Sequence, residues 1–327
     1  MHSFFWIAIR RWREEERTHN YGVKLTPDGY EVQYARSLGI GYAKKFVETI
    51  MQLLEELQQQ SHPSDGSHPR PLQIIRTKNE LSTCLKQEDT IGAILHFEGA
   101  EAIDSNLKQM EKDLAAYYQK GLRSLGLVWS RANSFGHGVP FKFPASPDIG
   151  PGLTHAGQGL VTECNEIGII VDLAHLNLKG FMDVAKISKH PLVVSHSNVH
   201  AICRSSRNLL DKQIDLVADS NGVIGINFCP SMIRPDGRPE APETPISMII
   251  DHIDYIVKRI GIDHVALGSD FDGATMPDAL KDAAALPALV YKLKKQYELD
   301  GLDALSEEFL DKLLYKNWQR VINDTWK

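Results

Sequence analysis

Along almost the whole chain, short apolar runs alternate with stretches of helical periodicity. The runs are FFWIAI (4–9), AILHF (93–97), SLGLVW (124–129), IIVDLAH (169–175), LVVSH (192–196), VIGINF (223–228) and VALGSDF (265–271). They are nearly continuous rather than alternating, which is how parallel strands buried on both faces read. Between the first two, Ala43, Phe46, Val47, Ile50, Leu53, Leu54 and Leu57 recur at three- and four-residue steps, so the spacing predicts a long helix with one apolar face. SHPSDGSHPRP (61–71) ends it as a loop. Asp104 or Ser105 is the expected N-cap and Gly121 the C-terminal stop of the next helix, and Thr154 and Gly168 bracket the one after.

This rhythm predicts an α/β chain forming a single domain over residues 1–327. No GxGxxG or GxxxxGK follows a strand, so a nucleotide-binding doubly wound sheet has no support. A (β/α)8 TIM-type barrel fits length and rhythm better, although the seven runs leave it one strand short.

At 327 residues and 43% hydrophobic content the chain can bury a large core. A formal charge of -6 provides no basic stripe for a phosphate backbone, which argues against a nucleic-acid partner and for a small molecule. Cys84, Cys164, Cys203 and Cys229 form no CxxC, so reduced thiols are expected instead of a zinc ribbon or a disulfide framework. The first apolar run is too short for a membrane span and runs into Arg10, Arg11 and Arg13, unlike a signal peptide. As written the chain reads as cytoplasmic; a signal peptide stays open if residues precede Met1. The C-terminal NWQRVINDTWK is not a hydrophobic anchor tail.

In barrels of this type the active site forms at the C-terminal ends of the strands. Four runs close on an ionisable group: Glu98, His175, His196 and Asp270. A single strand-end histidine is more often a hydrogen-bonded structural residue, but four such groups at equivalent ends converge on one mouth. Two imidazoles and a carboxylate are the ligand set of a hydrolytic zinc site with a position open for water, whose pKa such a metal brings toward about 7. Asp270 is then the carboxylate that takes and returns the proton; the plainer reading, a residue ordering the GSDFDG turn, suits Asp272 better. Arg204 and Arg207 follow the His196 strand end, where a guanidinium clamps a carboxylate or simply stays solvated. His252 and Asp254 make an HxD, but on a helix that spacing faces opposite sides, so a surface pair without metal is expected.

FEGAEAI, GLVTECNEIGIIVDLAH, PLVVSHSNVHAICRSSRN and GSDFDG, in this order, resemble the renal (membrane) dipeptidase family of zinc metallopeptidases, family M19, over essentially the whole chain. The resemblance implies a barrel with two zinc ions and hydrolysis of dipeptides. Glu98 matches the carboxylate bridging both metals, and His175 and His196 complete one metal's shell. Asp270 matches the proton-transferring Asp, and Arg207 the arginine that holds the substrate's terminal carboxylate.

Two departures stand out. Trp129 occupies the place of a family histidine that touches the scissile carbonyl, which bears on substrate preference; an indole N–H donates one hydrogen bond but carries no charge. Further, MHSFFWIAIR resembles the family's second strand. The first strand, with an HxD that binds the other metal, is expected upstream of Met1; His2 is not its remnant, because no Asp stands at position 4. The expectation is therefore an N-terminally shortened dipeptidase that keeps one zinc. The alternatives are another metal-dependent amide or lactone hydrolase, or a non-catalytic barrel binding one metal. A homodimer is left open.

Overall fold

A computed structural model of the chain describes residues 4–9, 22–33, 39–61, 71–239, 241–299 and 306–327. In chain order the strands are β1 (Phe4–Ile9), β2 (Gly22–Thr26), β3 (Gly29–Gln33), β4 (Leu72–Ile74), β5 (Ile91–Glu98), β6 (Leu122–Gly126), β7 (Lys142–Phe143), β8 (Ile170–Asp172), β9 (Val193–Ser197), β10 (Val223–Ile226) and β11 (Val265–Leu267). The path β1-β5-β6-β8-β9-β10-β11 is parallel throughout, with β4 laid beside the start of β5. FFWIAI thus pairs directly with β5, Phe4 opposite Gly92 and Ile9 opposite Phe97. Helices follow most strands, the α/β arrangement that the periodicity predicts. The strand expected before Met1 and the residue His2 lie outside the described residues, as does most of the 61–71 loop.

The near-continuous apolar runs have a direct explanation. Neighbouring residues of one strand enter different cores: Leu95, Val171, Val194, Ile224 and Val265 pack toward the helices, while Ile94, Ile170, Val193, Val223 and Ala266 form a second cluster. That second cluster is completed by Trp318, Val321, Ile322 and Trp326, from the helix Asn317–Thr325 and the residue after it. The helix plugs the end of the sheet where the strands begin. Asn317 Nδ2 donates to the carbonyls of Ile262 and Val265 (2.6 and 2.8 Å), and Trp318 Nε1 donates to Leu267 O at 3.0 Å. Trp318→Ala should lower stability by about 3–5 kcal/mol, the usual cost of an emptied aromatic site. Denaturant melts would read this, and activity per folded molecule should stay unchanged because the plug lies opposite the mouth.

Several local expectations are corrected. The strands at residues 124, 169 and 265 end before their runs do, because the chain leaves the sheet after its last paired residue and carries Trp129, His175 and Asp270 in the following turns. In the helix Ile40–Gln60 the buried stripe is Ala43, Val47, Met51 and Leu54; Leu53 and Leu57 stand exposed. Asn106, not Asp104 or Ser105, caps the helix Leu107–Gln119 by accepting from Gln109 N, while Asp104 accepts from Asn106 N. Thr154 caps the next helix and Gly168 ends it in a left-handed conformation, as expected.

His252 and Asp254 are not a surface pair. They do face different sides of their helix, but both sides are covered. His252 Nε2 donates to Ile233 O at 3.0 Å and its Nδ1 accepts from Val199 N at 3.1 Å, which takes up both positions of a neutral ring. Burial accordingly pushes this imidazole down to about 4. Asp254 accepts a 2.5 Å hydrogen bond from Tyr297.

A second small sheet, β2-β3-β7, was not foreseen, although PDG at 27–29 between two runs with β-formers is a hairpin signal. Val32 N donates to Phe141 O at 2.8 Å, so the hairpin holds the loop that carries Phe141 over the mouth.

Candidate functional site

Glu98 ends β5, His196 lies within β9, and His175 follows β8 in a tight turn. His175 and Asp270 both adopt left-handed backbone, with φ of 67° and 62°. Side chains other than glycine visit this region only when surrounding structure holds them. Here Val139 N donates to His175 O (2.8 Å), and Gly273 N and Ala274 N both donate to Asp270 O (3.1 Å).

Three of the expected site residues meet. His175 Nε2 lies 2.9 Å from Glu98 Oε1 and 3.0 Å from His196 Nε2, and His196 Nε2 lies 3.4 Å from Glu98 Oε1. All three are deeply buried, with the Glu98 side chain 3% exposed. The other nitrogen of each ring meets a hydroxyl: His175 Nδ1 lies 2.7 Å from Ser130 Oγ, and His196 Nδ1 lies 2.8 Å from Ser195 Oγ.

Two Nε2 atoms facing each other beside a carboxylate oxygen concentrate electron density at one point. A cation is what such a donor set suits. Nitrogen and carboxylate donors, with hydroxyl partners holding the far ring nitrogens, make the three residues a candidate site for a divalent metal.

Arg207 is buried, 3% exposed. Its Nη2 donates to His196 O at 3.4 Å, and its guanidinium carbon lies 6.0 Å from the Phe141 ring. Arg204 points outward and is exposed, so of the two arginines only Arg207 reaches the mouth. The Trp129 ring lies 5.8 Å from His175 and 5.9 Å from Phe141, which is itself 6.1 Å from His175. Trp129 and Phe141 therefore wall the space beside the trio.

Asp270 stands beyond β11, and its Oδ2 accepts from Asn227 Nδ2 at 3.1 Å. The Asn227 amide is oriented by Cys229 N, which donates to its Oδ1 at 2.6 Å. Asp272 is exposed in the same turn. The Cys229 thiol nearby is pushed up by burial, so it stays protonated at neutral pH and offers no thiolate nucleophile. All four cysteines are free thiols. No described helix is long and apolar enough to cross a membrane.

Ser130, Phe141 and Ser195 touch the two histidines, Asp172 lies behind Ser195 and Asn227 holds Asp270, yet ordinary residue types gave them little sequence signal. For Ser195 the adjacency to His196 was a cue, and for Asp172 its place three residues before His175.

Comparison with known proteins agrees with this geometry. Residues 23–327 match the family described as membrane dipeptidase, peptidase family M19. A Klebsiella pneumoniae protein known only as an uncharacterised product of the pqqA 5′ region is 43% identical over 256 residues, 78% of this chain and 90% of its own length. The dipeptidase tcpJ of Claviceps purpurea is 28% identical, and the alignment covers 85% of this chain but only 58% of the fungal protein.

Among solved structures, a metallopeptidase from Rhodobacter sphaeroides, liganded with a phosphinate mimic of the dipeptide L-Ala-D-Ala, superposes with a TM-score of 0.84 at 37% identity, covering 98% of this chain and 86% of that one. A structure described as dipeptidase AC, also of family M19, gives a TM-score of 0.84 at 38% identity, covering 99% and 86%. With its parallel α/β sheet of TIM type and its buried carboxylate and histidine pair, the chain belongs to the membrane dipeptidase family of metallopeptidases, peptidase family M19.

Proposed function

We propose that the chain is a metal-dependent hydrolase that cleaves the peptide bond of free dipeptides, with zinc as the metal. The observation that carries the reading is the buried trio Glu98, His175 and His196, set beside a buried arginine. The substrate class draws support from the dipeptidase relatives and from the dipeptide mimic held by the Rhodobacter sphaeroides structure.

In this reading Glu98, His175 and His196 would hold the metal. A divalent cation there supplies Lewis-acid polarisation and water of lowered pKa, about 7 in zinc hydrolases. Arg207 binds the substrate's terminal carboxylate through its guanidinium, a charge-assisted and potentially bidentate pair. That contact sets the length of the substrate, because it fixes how far the scissile bond lies from the chain end. Trp129 and Phe141 exclude water and offer apolar surface to a substrate side chain. Asp270 takes the proton from the attacking water and delivers it to the leaving amine nitrogen, so one water is consumed and an acid and an amine are released.

The test separates carboxylate recognition from chemistry. Arg207→Ala should raise KM for free dipeptides by about one to two orders of magnitude, the cost of losing a charge-assisted pair, with dipeptide amides nearly unaffected. Equal losses on both substrates would assign Arg207 to supporting the metal ligands, since it also holds the His196 carbonyl.

A further inference from the structure

We infer that Asp172, acting through the Ser195 hydroxyl, fixes the tautomer of His196, so that its Nδ1 carries the proton and its Nε2 presents a lone pair to Glu98 and His175. The inference rests on the reading of His196 as a metal ligand and adds the device that prepares it.

The direction of each hydrogen bond follows from the donors available. Asp172 is 2% exposed. Its Oδ1 accepts from the backbone N–H of Ala174 (3.1 Å) and of Ser195 (2.8 Å). Its Oδ2 accepts from Ser195 Oγ at 2.5 Å, with His96 Nε2 at 3.6 Å on the other side. A hydroxyl has one proton, and the short contact to a carboxylate commits that of Ser195 to Asp172. Ser195 Oγ then meets His196 Nδ1, 2.8 Å away, as an acceptor. Nδ1 must donate, and a neutral imidazole so bonded keeps Nε2 bare.

The carboxylate also ties the two histidine segments together, because its backbone donors are the residues immediately before His175 and His196. Ser195 has no room to shift. A Cβ at Gly225 or Gly268 would come within 2.0 or 2.1 Å of the Ser195 carbonyl oxygen, so β10 and the residue after β11 press on that residue from its backbone side. Asp172 and Ser195 are positioning residues that act through His196.

Asp172→Asn gives a signed test. Two backbone N–H donors require the oxygen of the new amide on their side, which turns its NH2 toward Ser195. The amide then donates to Ser195 Oγ, the serine proton swings to His196 Nδ1, and Nε2 is left protonated toward the metal-ligating trio. Zinc affinity of the full-length chain, measured by chelator competition, should fall about 10- to 100-fold in Asp172→Asn, the usual cost of a disrupted outer shell. Ser195→Ala imposes no tautomer and should lose less. The double variant Asp172→Asn/Ser195→Ala should recover to the Ser195→Ala level, a rescue that a merely structural Asp172 cannot produce.

Should Asp172→Asn fail to fold, nitrogen NMR of His196 in the chelator-treated wild-type chain decides alone: protonated Nδ1 supports the inference, and protonated Nε2 overturns it. A normal zinc affinity in Asp172→Asn alongside a defective His196→Ala overturns the inference and leaves the metal reading standing. Unchanged affinity in all of these variants overturns both.

Discussion

Glu98→Gln should give a folded protein without bound metal and without dipeptide hydrolysis. Glu98 is the anionic member of the trio, and its Oε1 lies 2.9 Å from His175 Nε2 and 3.4 Å from His196 Nε2. A glutamine keeps the shape but removes the charge, and its amide can turn a proton donor toward the imidazole lone pairs. Such a site would repel the cation that the proposed reading places there. The fold should survive because Glu98 is the last residue of β5, past the apolar layers that Phe97 and Leu95 fill. Elemental analysis, thermal melting and dipeptide turnover on one preparation check all three statements, with turnover reduced by at least about a thousandfold on the scale of lost metal catalysis. Normal turnover in this variant would remove Glu98 from the site.

A different signature is expected for Asp270→Asn. Metal content should remain at the wild-type level, and kcat should fall by about two to four orders of magnitude, the range for a positioned acid–base group. An asparagine at this position can still accept the Asn227 amide proton through its oxygen, so the turn and its left-handed backbone are preserved. What it cannot do is carry a proton from water to the leaving nitrogen. KM for dipeptides should change little, since Arg207 and not Asp270 binds the carboxylate in this reading. A kcat within a fewfold of wild type would return Asp270 to the role of a turn residue; loss of metal would make it a ligand. Together the two variants divide the mouth into a part that holds the cation and a part that moves the proton.

The sequence made the frame of the site legible for a physical reason. Parallel strands covered on both faces are written as continuous apolar runs, and the first ionisable residue after such a run has nowhere to go but the mouth. Glu98, His175 and His196, which the structure brings together, were picked out in this way, as was Asp270, whose part in the site is the proposal made above. The residues around them were not, because Ser130, Ser195 and Asn227 are types that occur throughout any chain and act here only through atoms brought from other strands. Asn227 reaches Asp270 across 43 positions of sequence, and Ser130 reaches His175 across 45. Phe141 escaped for a related reason: it lies in a loop without periodicity, held in place by a hairpin more than a hundred residues earlier. His252 shows the converse error. Spacing on a helix tells which residues share a face, but not whether the opposite face is wet.

The plug at the base of the sheet joins segments made far apart in time. Ile75, Ile94, Ile170, Val193, Val223 and Ala266 share their cluster with Trp318 and Trp326, so one face of five strands stays uncovered until residues 318–326 are made. On a ribosome, where residues emerge at roughly 5–20 per second, those faces stay open to water and to other chains for several seconds or more. Contacts this distant in sequence also slow folding, since the chain closes a very large loop before the apolar cluster rewards it. The nascent protein should thus offer these faces to holding chaperones until residues 317–326 have emerged. That makes the helix Asn317–Thr325, far from the mouth, the step that converts a string of aggregation-prone strands into a covered sheet able to carry a site at all.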